Sequence, residues 1–268
     1  MKPPSGNPRW AERSLLHRGG TPGTWGNLGL WTNADDDYGR ACRALAEAVG
    51  RAAGLQAGDR VLSVACGAGD ELLLWQQAFG VKDPQGVESD PALQAAAQAL
   101  AGGVVHPAPG CDLARLHLPA ASFDHVLCVD GAYLLAPRAA FLAEAMRLLE
   151  PGGRLAFTDL VVNGGAMGFK KAMLSPSAWL AGVGLAELAD DASSIARVQA
   201  AGFADVQLQR LDEEVLGGFA SFVWGHGMGL GVHNLSRAWR RPAATAGLIG
   251  PCRFFGLGYA LLTATKPG

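Results

Sequence analysis

None of the five cysteines of this 268-residue chain, Cys42, Cys66, Cys111, Cys128 and Cys252, stands in a C-x-x-C pair or at zinc-finger spacing. That removes the usual signatures of a redox dithiol and of a structural metal, so no metal site is expected, and the free thiols point to a cytoplasmic setting. Charge is scarce and balanced: charged residues make up 17%, with 22 basic against 24 acidic side chains and a net charge of −2. A dedicated nucleic-acid binder carries a basic excess, so that class drops out. Arg237, Arg240 and Arg241 form one local cluster, which reads as a solvated helix face. G-x-x-x-x-G-K-[ST] is absent throughout, which argues against nucleoside-triphosphate chemistry. The Y-x-x-x-K pair of short-chain dehydrogenases is missing too: the fourth residues after Tyr38, Tyr133 and Tyr259 are Cys42, Pro137 and Thr263. The opening Met1-Lys-Pro-Pro-Ser-Gly-Asn-Pro has no apolar run, so no signal peptide is expected.

One stretch lacks charge altogether. Val215–Ser236 holds no Asp, Glu, Lys or Arg and is long enough to cross a bilayer. Its six glycines, with His226, His233 and Asn234, fit a spanning helix poorly, and an apolar pocket wall is the better reading, ahead of peripheral contact with a membrane.

What is present centres on Arg60-Val-Leu-Ser-Val-Ala-Cys-Gly-Ala-Gly-Asp70. Val61, Leu62, Val64 and Ala65 form the short continuous apolar run of a buried parallel strand. Gly67 and Gly69 let the backbone turn tightly, and the helix expected from Glu71 to Phe79 offers unpaired N–H groups at its start. A dinucleotide fingerprint would need a third glycine, but counting from Gly67 or from Ala65 that position falls on Leu72 or Asp70. Nicotinamide and flavin dinucleotides are disfavoured.

VLSVACGAGDELLLW resembles motif I of the class I S-adenosylmethionine-dependent methyltransferases, V-L-D-x-G-C-G-x-G followed by a helix. Here Ser63 stands for the usual acid, whose carboxylate orders the loop, and Ala65 for the first glycine, adding a methyl group near the cofactor. Gly86-Val-Glu-Ser-Asp-Pro91 is similar to the end of the family's second strand, where an acid takes both ribose hydroxyls; Glu88 follows Gly69 by 19 positions, the offset a strand–loop–helix–strand unit imposes. Asp90 before Pro91 reads as a helix cap. Gly110-Cys-Asp-Leu and Ser122-Phe-Asp-His-Val resemble G-D-A-x-x-L and S-F-D-x-V, which implies Asp112 and Leu113 beside the adenine; a solvated loop is the alternative for Asp112. Met146 to Asp159 matches the helix, P-G-G turn and fifth strand. The resemblance implies a cofactor site of Ala65, Cys66, Gly67, Gly69, Glu88, Ser89, Asp112, Leu113, Asp130, Trp31 and Tyr38.

Asn27-Leu-Gly-Leu-Trp31 and Tyr38 resemble the N-L-G-Y-W opening of the small-molecule, natural-product branch, where this segment is a lid; core packing is the alternative for Trp31. Val129 to Arg138 looks like that branch's D-x-A-Y-H-F-x-x-R, in which the His is the candidate base. Leu134 occupies that position here. Tyr133, Asp130, His226 and His233 are then the candidates for a base, unless none is needed. An apolar pocket wall with a polar tip is the other reading of Tyr133.

Strands and helices alternate from Arg60 to Val162, so the fold class expected is α/β: a doubly wound, Rossmann-like sheet with helical lid and cap insertions. The resemblance implies seven strands in the order 3-2-1-4-5-7-6. One domain over residues 1–268 is expected, with a lid in 1–53, a helix from Ala34 to Ala53, and a cap near 164–188. A helix over Asp190–Ala201, a strand over Ala204–Leu211, a glycine-rich helical segment and a last strand over Gly258–Lys266 complete it. The resemblance implies an S-adenosylmethionine-dependent methyltransferase acting on a small, largely apolar metabolite, oxygen being the first-choice acceptor. A cofactor-binding protein with other chemistry, such as a cyclase, or an N- or C-methyltransferase is the alternative. The expected assembly is a monomer or homodimer.

Overall fold

The computed structural model describes residues 20, 23–33, 37–135, 137–163, 167–181, 183–229 and 240–268. Seven strands form one sheet: β1 (Val61–Val64), β2 (Gln85–Glu88), β3 (Val105–Pro107), β4 (Phe123–Cys128), β5 (Leu149–Val162), β6 (Ala204–Arg210) and β7 (Leu257–Thr265), in the order β3-β2-β1-β4-β5-β7-β6. The first five run parallel, and β7 lies antiparallel between β5 and β6. This is the expected topology. The Pro151-Gly-Gly turn, expected to stand apart from the fifth strand, is absorbed into the 14-residue β5.

The helices are α1 (Tyr38–Ala53), α2 (Asp70–Phe79), α3 (Pro91–Ala101), α4 (Arg138–Leu148), α5 (Met167–Ala181), α6 (Asp191–Ala200), α7 (Gly218–Gly229) and α8 (Arg240–Phe254). Expected from Ala34, α1 begins at Tyr38 because Asp37 adopts extended backbone and its carboxylate accepts from the Arg40 N–H. Asp90 caps α3 in the same way, through the N–H groups of Ala92 and Leu93. In the expected cap, α5 is followed by a 3₁₀ turn, Leu185–Glu187. Between β6 and α7 the chain makes one π-helical turn, Asp212–Gly217.

Both sheet faces are covered, as continuous apolar strands require. On one face Leu45, Val49, Leu72 and Trp75 pack with Val61 and Leu127; on the other Phe141, Leu142 and Ala145 pack with Val126 and Phe157. Trp75 is fully buried and its indole N–H donates to the Ala46 carbonyl, so it joins α2 to α1. Among the described residues no helix is long and apolar enough to cross a membrane; α7 has 12 residues.

Candidate cofactor and active site

The strand order reverses direction between β1 and β4, and the loops leaving their carboxyl ends frame a crevice of the kind in which open α/β sheets bind ligands. After β1, Ala65 takes a left-handed backbone, φ 61°. That explains the glycine of the related motif better than crowding does: the backbone itself costs an L-residue roughly 1–2 kcal/mol. The added methyl is accommodated because residue 131 is glycine, where a Cβ would stand 2.9 Å from that of Ala65.

The two loop glycines have different reasons. A Cβ on Gly67 (φ 58°) would meet nothing within 4 Å, whereas one on Gly69 (φ 89°) would stand 2.8 Å from Ala97 of α3. Gly67 therefore faces space a ligand can occupy; Gly69 lets α3 close on the loop. The Gly67 N–H donates to Glu88 Oε2 at 2.9 Å, while Oε1 accepts from the N–H groups of Ser89 (2.7 Å) and Asp90 (3.0 Å). Glu88 is thus fixed at the end of β2, joined to the glycine loop. Ser89 is exposed beside it.

Beneath the loop lies a group that sequence reading missed. Glu71, in the first turn of α2, is 6% exposed and receives the Ser63 hydroxyl. Burial pushes its carboxyl up to about 8, with the charges of Asp70, Glu88 and Asp130 adding to the rise and the Ser63 hydrogen bond opposing it. It is protonated at neutral pH. Ser63 in place of an acid is the sequence signal that a carboxyl comes from elsewhere. Cys66, buried beside Gly86, has its thiol pushed well above the usual range, first by burial, then by Glu71 and Glu88.

After β3, Asp112 is partly exposed and accepts from the Ala114 N–H at 3.3 Å, opening a 3₁₀ turn in which Leu113 is buried. Cys111 before it is buried and left-handed, with its thiol pushed up to about 12 by burial.

After β4, Asp130 Oδ1 accepts from Tyr133 Oη (3.0 Å) and Tyr259 Oη (2.7 Å), and Oδ2 accepts from the Leu28 N–H (2.7 Å). Arg138 closes this loop from behind: it is 2% exposed, meets Asp159 with two nitrogens at 2.8 and 2.9 Å, and donates to the carbonyls of Ala132 and Leu135. Burial raises the Asp159 carboxyl to about 6 against the pull of Arg138. Leu134 is 45% exposed in this loop.

Residues 24–31 run as a strap across the crevice. At one end Thr24 donates its N–H (3.0 Å) and hydroxyl (2.5 Å) to Asp70; further on, the Leu28 N–H reaches Asp130. Trp31 donates its backbone N–H to the Glu214 carbonyl and its indole N–H to the Leu28 carbonyl (2.9 Å), and stacks on Phe222 with ring centroids 4.7 Å apart. Tyr38 is 2% exposed and gives its hydroxyl to the Asn27 carbonyl, holding the strap on α1. The indole of Trp31 is therefore held between strap and α7. His226 lies in α7 with its side chain outside the described residues, and His233 lies outside them altogether, as do Arg237 and the first 19 residues of the expected lid. Among the described residues no His, Cys, Asp and Glu cluster suits a metal.

This topology and crevice are those of a Rossmann-like fold. Residues 62–157 match the family described as methyltransferase domain. The match covers 96 of the 268 residues and is a likeness to methyltransferase domains. Curated relatives include erythromycin 3''-O-methyltransferase of Saccharopolyspora erythraea, 30% identical over 149 residues, covering 54% of this chain and 49% of that one. Methyltransferase GfsG of Streptomyces halstedii is 29% identical over 143 residues, covering 52% and 51%. The chain spans about half the length of these curated relatives. Among solved structures, the [4+2]-cyclase SpnF superposes with a TM-score of 0.72 at 20% identity, covering 98% of both chains. The cyclopropane synthase MmaA2 of Mycobacterium tuberculosis gives 0.74 at 16% identity, covering 95% and 93%. At those identities the likeness is one of fold.

Proposed function

We propose that this protein transfers a methyl group from S-adenosylmethionine to a small, largely apolar metabolite, with an oxygen acceptor. The observation that carries the reading is where apolar surface is left open. Of the seven large apolar side chains exposed among the described residues, Leu100 and Val104 lie before the amino end of β3, and the other five, Leu134, Phe169, Met173, Trp224 and Phe254, are 42–86% exposed. All five belong to segments beyond the carboxyl ends of β4, β5 and β6, the side of the sheet that bears the glycine loop. Exposed large apolar groups concentrated beside a crevice suit an apolar ligand. An O-methyltransferase among the relatives supports the acceptor assignment.

The residues present fit the cofactor. Open space over Gly67 would admit it, Glu88 would take the ribose hydroxyls, and Asp112 and Leu113 would flank the adenine, with Ala65, Cys66, Ser89 and Asp130 completing the walls. Asp70, Glu88 and Asp130 would favour its positive charge. When bound, the cofactor would supply an activated methyl group on a sulfonium, and the acceptor hydroxyl would give up its proton to water. The protein's part is to align the acceptor about 3 Å from that carbon and exclude water, which supplies much of the acceleration. Trp31 and the strap would perform the exclusion.

Calorimetry tests the proposal: the single lid-bearing methyltransferase unit should bind S-adenosylmethionine and S-adenosylhomocysteine. Screening metabolites with methyl-labelled cofactor then yields a labelled product whose mass identifies the acceptor. Absence of binding by folded protein overturns the assignment. A second reading, cofactor binding with non-methylating chemistry, draws on Leu134 in place of the histidine and on the SpnF fold likeness. S-adenosylhomocysteine formed in step with a methylated product rules it out.

A further inference from the structure

Asp130 holds a left-handed backbone, φ 52°, uncommon for a residue with a side chain. The geometry around it is a closed ring. Its N–H donates to Thr158 Oγ1 at 2.7 Å; Thr158 Oγ1 lies 2.8 Å from Tyr259 Oη; and Tyr259 Oη lies 2.7 Å from Asp130 Oδ1. A phenol has one proton, and an ionised carboxylate only accepts, so Tyr259 donates to Asp130 and Thr158 donates to the Tyr259 oxygen. Tyr259 is fully buried on β7, and burial together with the adjoining carboxylate keeps its phenol protonated. With Tyr133 also on Oδ1, both lone pairs of that oxygen are committed, and Oδ2 is aimed at the strap.

We propose that Asp130 is a positioning residue and not the proton acceptor: Tyr259 and Thr158 aim its carboxylate so that Oδ2 ties the strap, through the Leu28 N–H, across the mouth of the cofactor site. Asp70 makes the second tie, at Thr24, on the other side of the glycine loop. The strap thereby bridges the loops of β1 and β4, the two strands that flank the crevice, and must be released at one carboxylate for ligand to exchange. The proposal rests on the reading of this crevice as the S-adenosylmethionine site.

Two variants test it. Asp130→Asn keeps the shape, but if the amide oxygen stays with the two phenols its NH₂ faces the Leu28 N–H, donor against donor. Tyr259→Phe removes the hydroxyl that aims Oδ1 and accepts from Thr158, and leaves Asp130 unchanged. Hydrogen exchange of residues 24–31, read by mass spectrometry on ligand-free protein, accelerates roughly tenfold or more in Asp130→Asn, the loss of one hydrogen bond to a charged acceptor, and less in Tyr259→Phe. S-adenosylhomocysteine dissociates faster by a similar factor, and KM for the methyl donor rises more than kcat falls. Protection and affinity unchanged in both variants, or turnover abolished in Asp130→Asn at unchanged affinity, overturns the proposal. If Asp130→Asn does not fold, Tyr259→Phe decides by the same readouts. Failure of the wild type to bind S-adenosylhomocysteine defeats the cofactor assignment, while the ligand-free exchange still judges the tie.

Discussion

The two ends of the parallel strands handle negative charge differently. At the amino ends Arg60 bridges Asp124 and Glu150 at 2.8 and 2.6 Å, while the imidazole of His125, held below its usual range by burial, hydrogen-bonds Asp59 at 2.9 Å. At the carboxyl ends Asp70, Glu88 and Asp130 accept from backbone N–H and hydroxyl groups. Ion pairs cancel a field; neutral donors fix a carboxylate's direction and leave its charge in place. The first end is built for closure and the second for receiving a cation. Of the seven left-handed non-glycine residues among those described, Ala65, Cys111 and Asp130 lie at that second end, while Asp83 and Ala121 lie at the first.

The largest test of this contrast is Arg138→Met. It strands Asp159, a buried acid at the carboxyl ends with a full ionic partner, and removes the donor to two carbonyls of the Asp130 loop. Urea denaturation should show a loss of about 3–5 kcal/mol. Gly69→Ala comes next: its φ of 89° and the 2.8 Å approach to Ala97 predict a loss of about 2 kcal/mol from backbone strain plus displacement of α3. Thermal unfolding measures it, and weakened cofactor binding should accompany it.

Glu71 sharpens the contrast through pH. Its carboxyl ionises near 4.5 when unfolded and near 8 when folded, so across that window the unfolded chain loses the proton first. Its contribution to stability is complete below pH 4.5 and declines as pH rises to about 8. Glu71→Gln should flatten that decline, the gap between variant and wild type widening from pH 5 to 8 in denaturant titrations. Unchanged slopes would mean that the carboxyl is ionised in the folded protein. The smallest effect belongs to the amino ends. Arg60→Ala breaks two exposed pairs and should cost at most about 1 kcal/mol, less in high salt.

How much of this was legible beforehand follows from chain distance. The glycine loop, Glu88 and the Asp90 cap depend on neighbours within one strand–helix–strand unit, and spacing reveals them; the strand order was implied by the family resemblance. The partners of Asp130 do not: Leu28 is 102 residues away and Tyr259 is 129. Tyr259 looked like one more residue of an apolar strand, and Asp130 like a free acid. Arg138 was visible as the end of a motif, but its pairing with Asp159 depends on the β4–β5 register. The Gly69 requirement likewise comes from a helix one unit further on. Local chemistry was readable; convergence across the sheet was not.

Gly218 carries a consequence of another kind. At the start of α7 a Cβ there would lie 2.4 Å from the Trp31 side chain. The two positions, 187 residues apart, are therefore not free to change separately: a side chain at 218 requires a smaller residue at 31 or a displaced strap. Among homologues with this opening segment the pair should covary, and Gly218→Ala should be tolerated only alongside a trimmed residue 31.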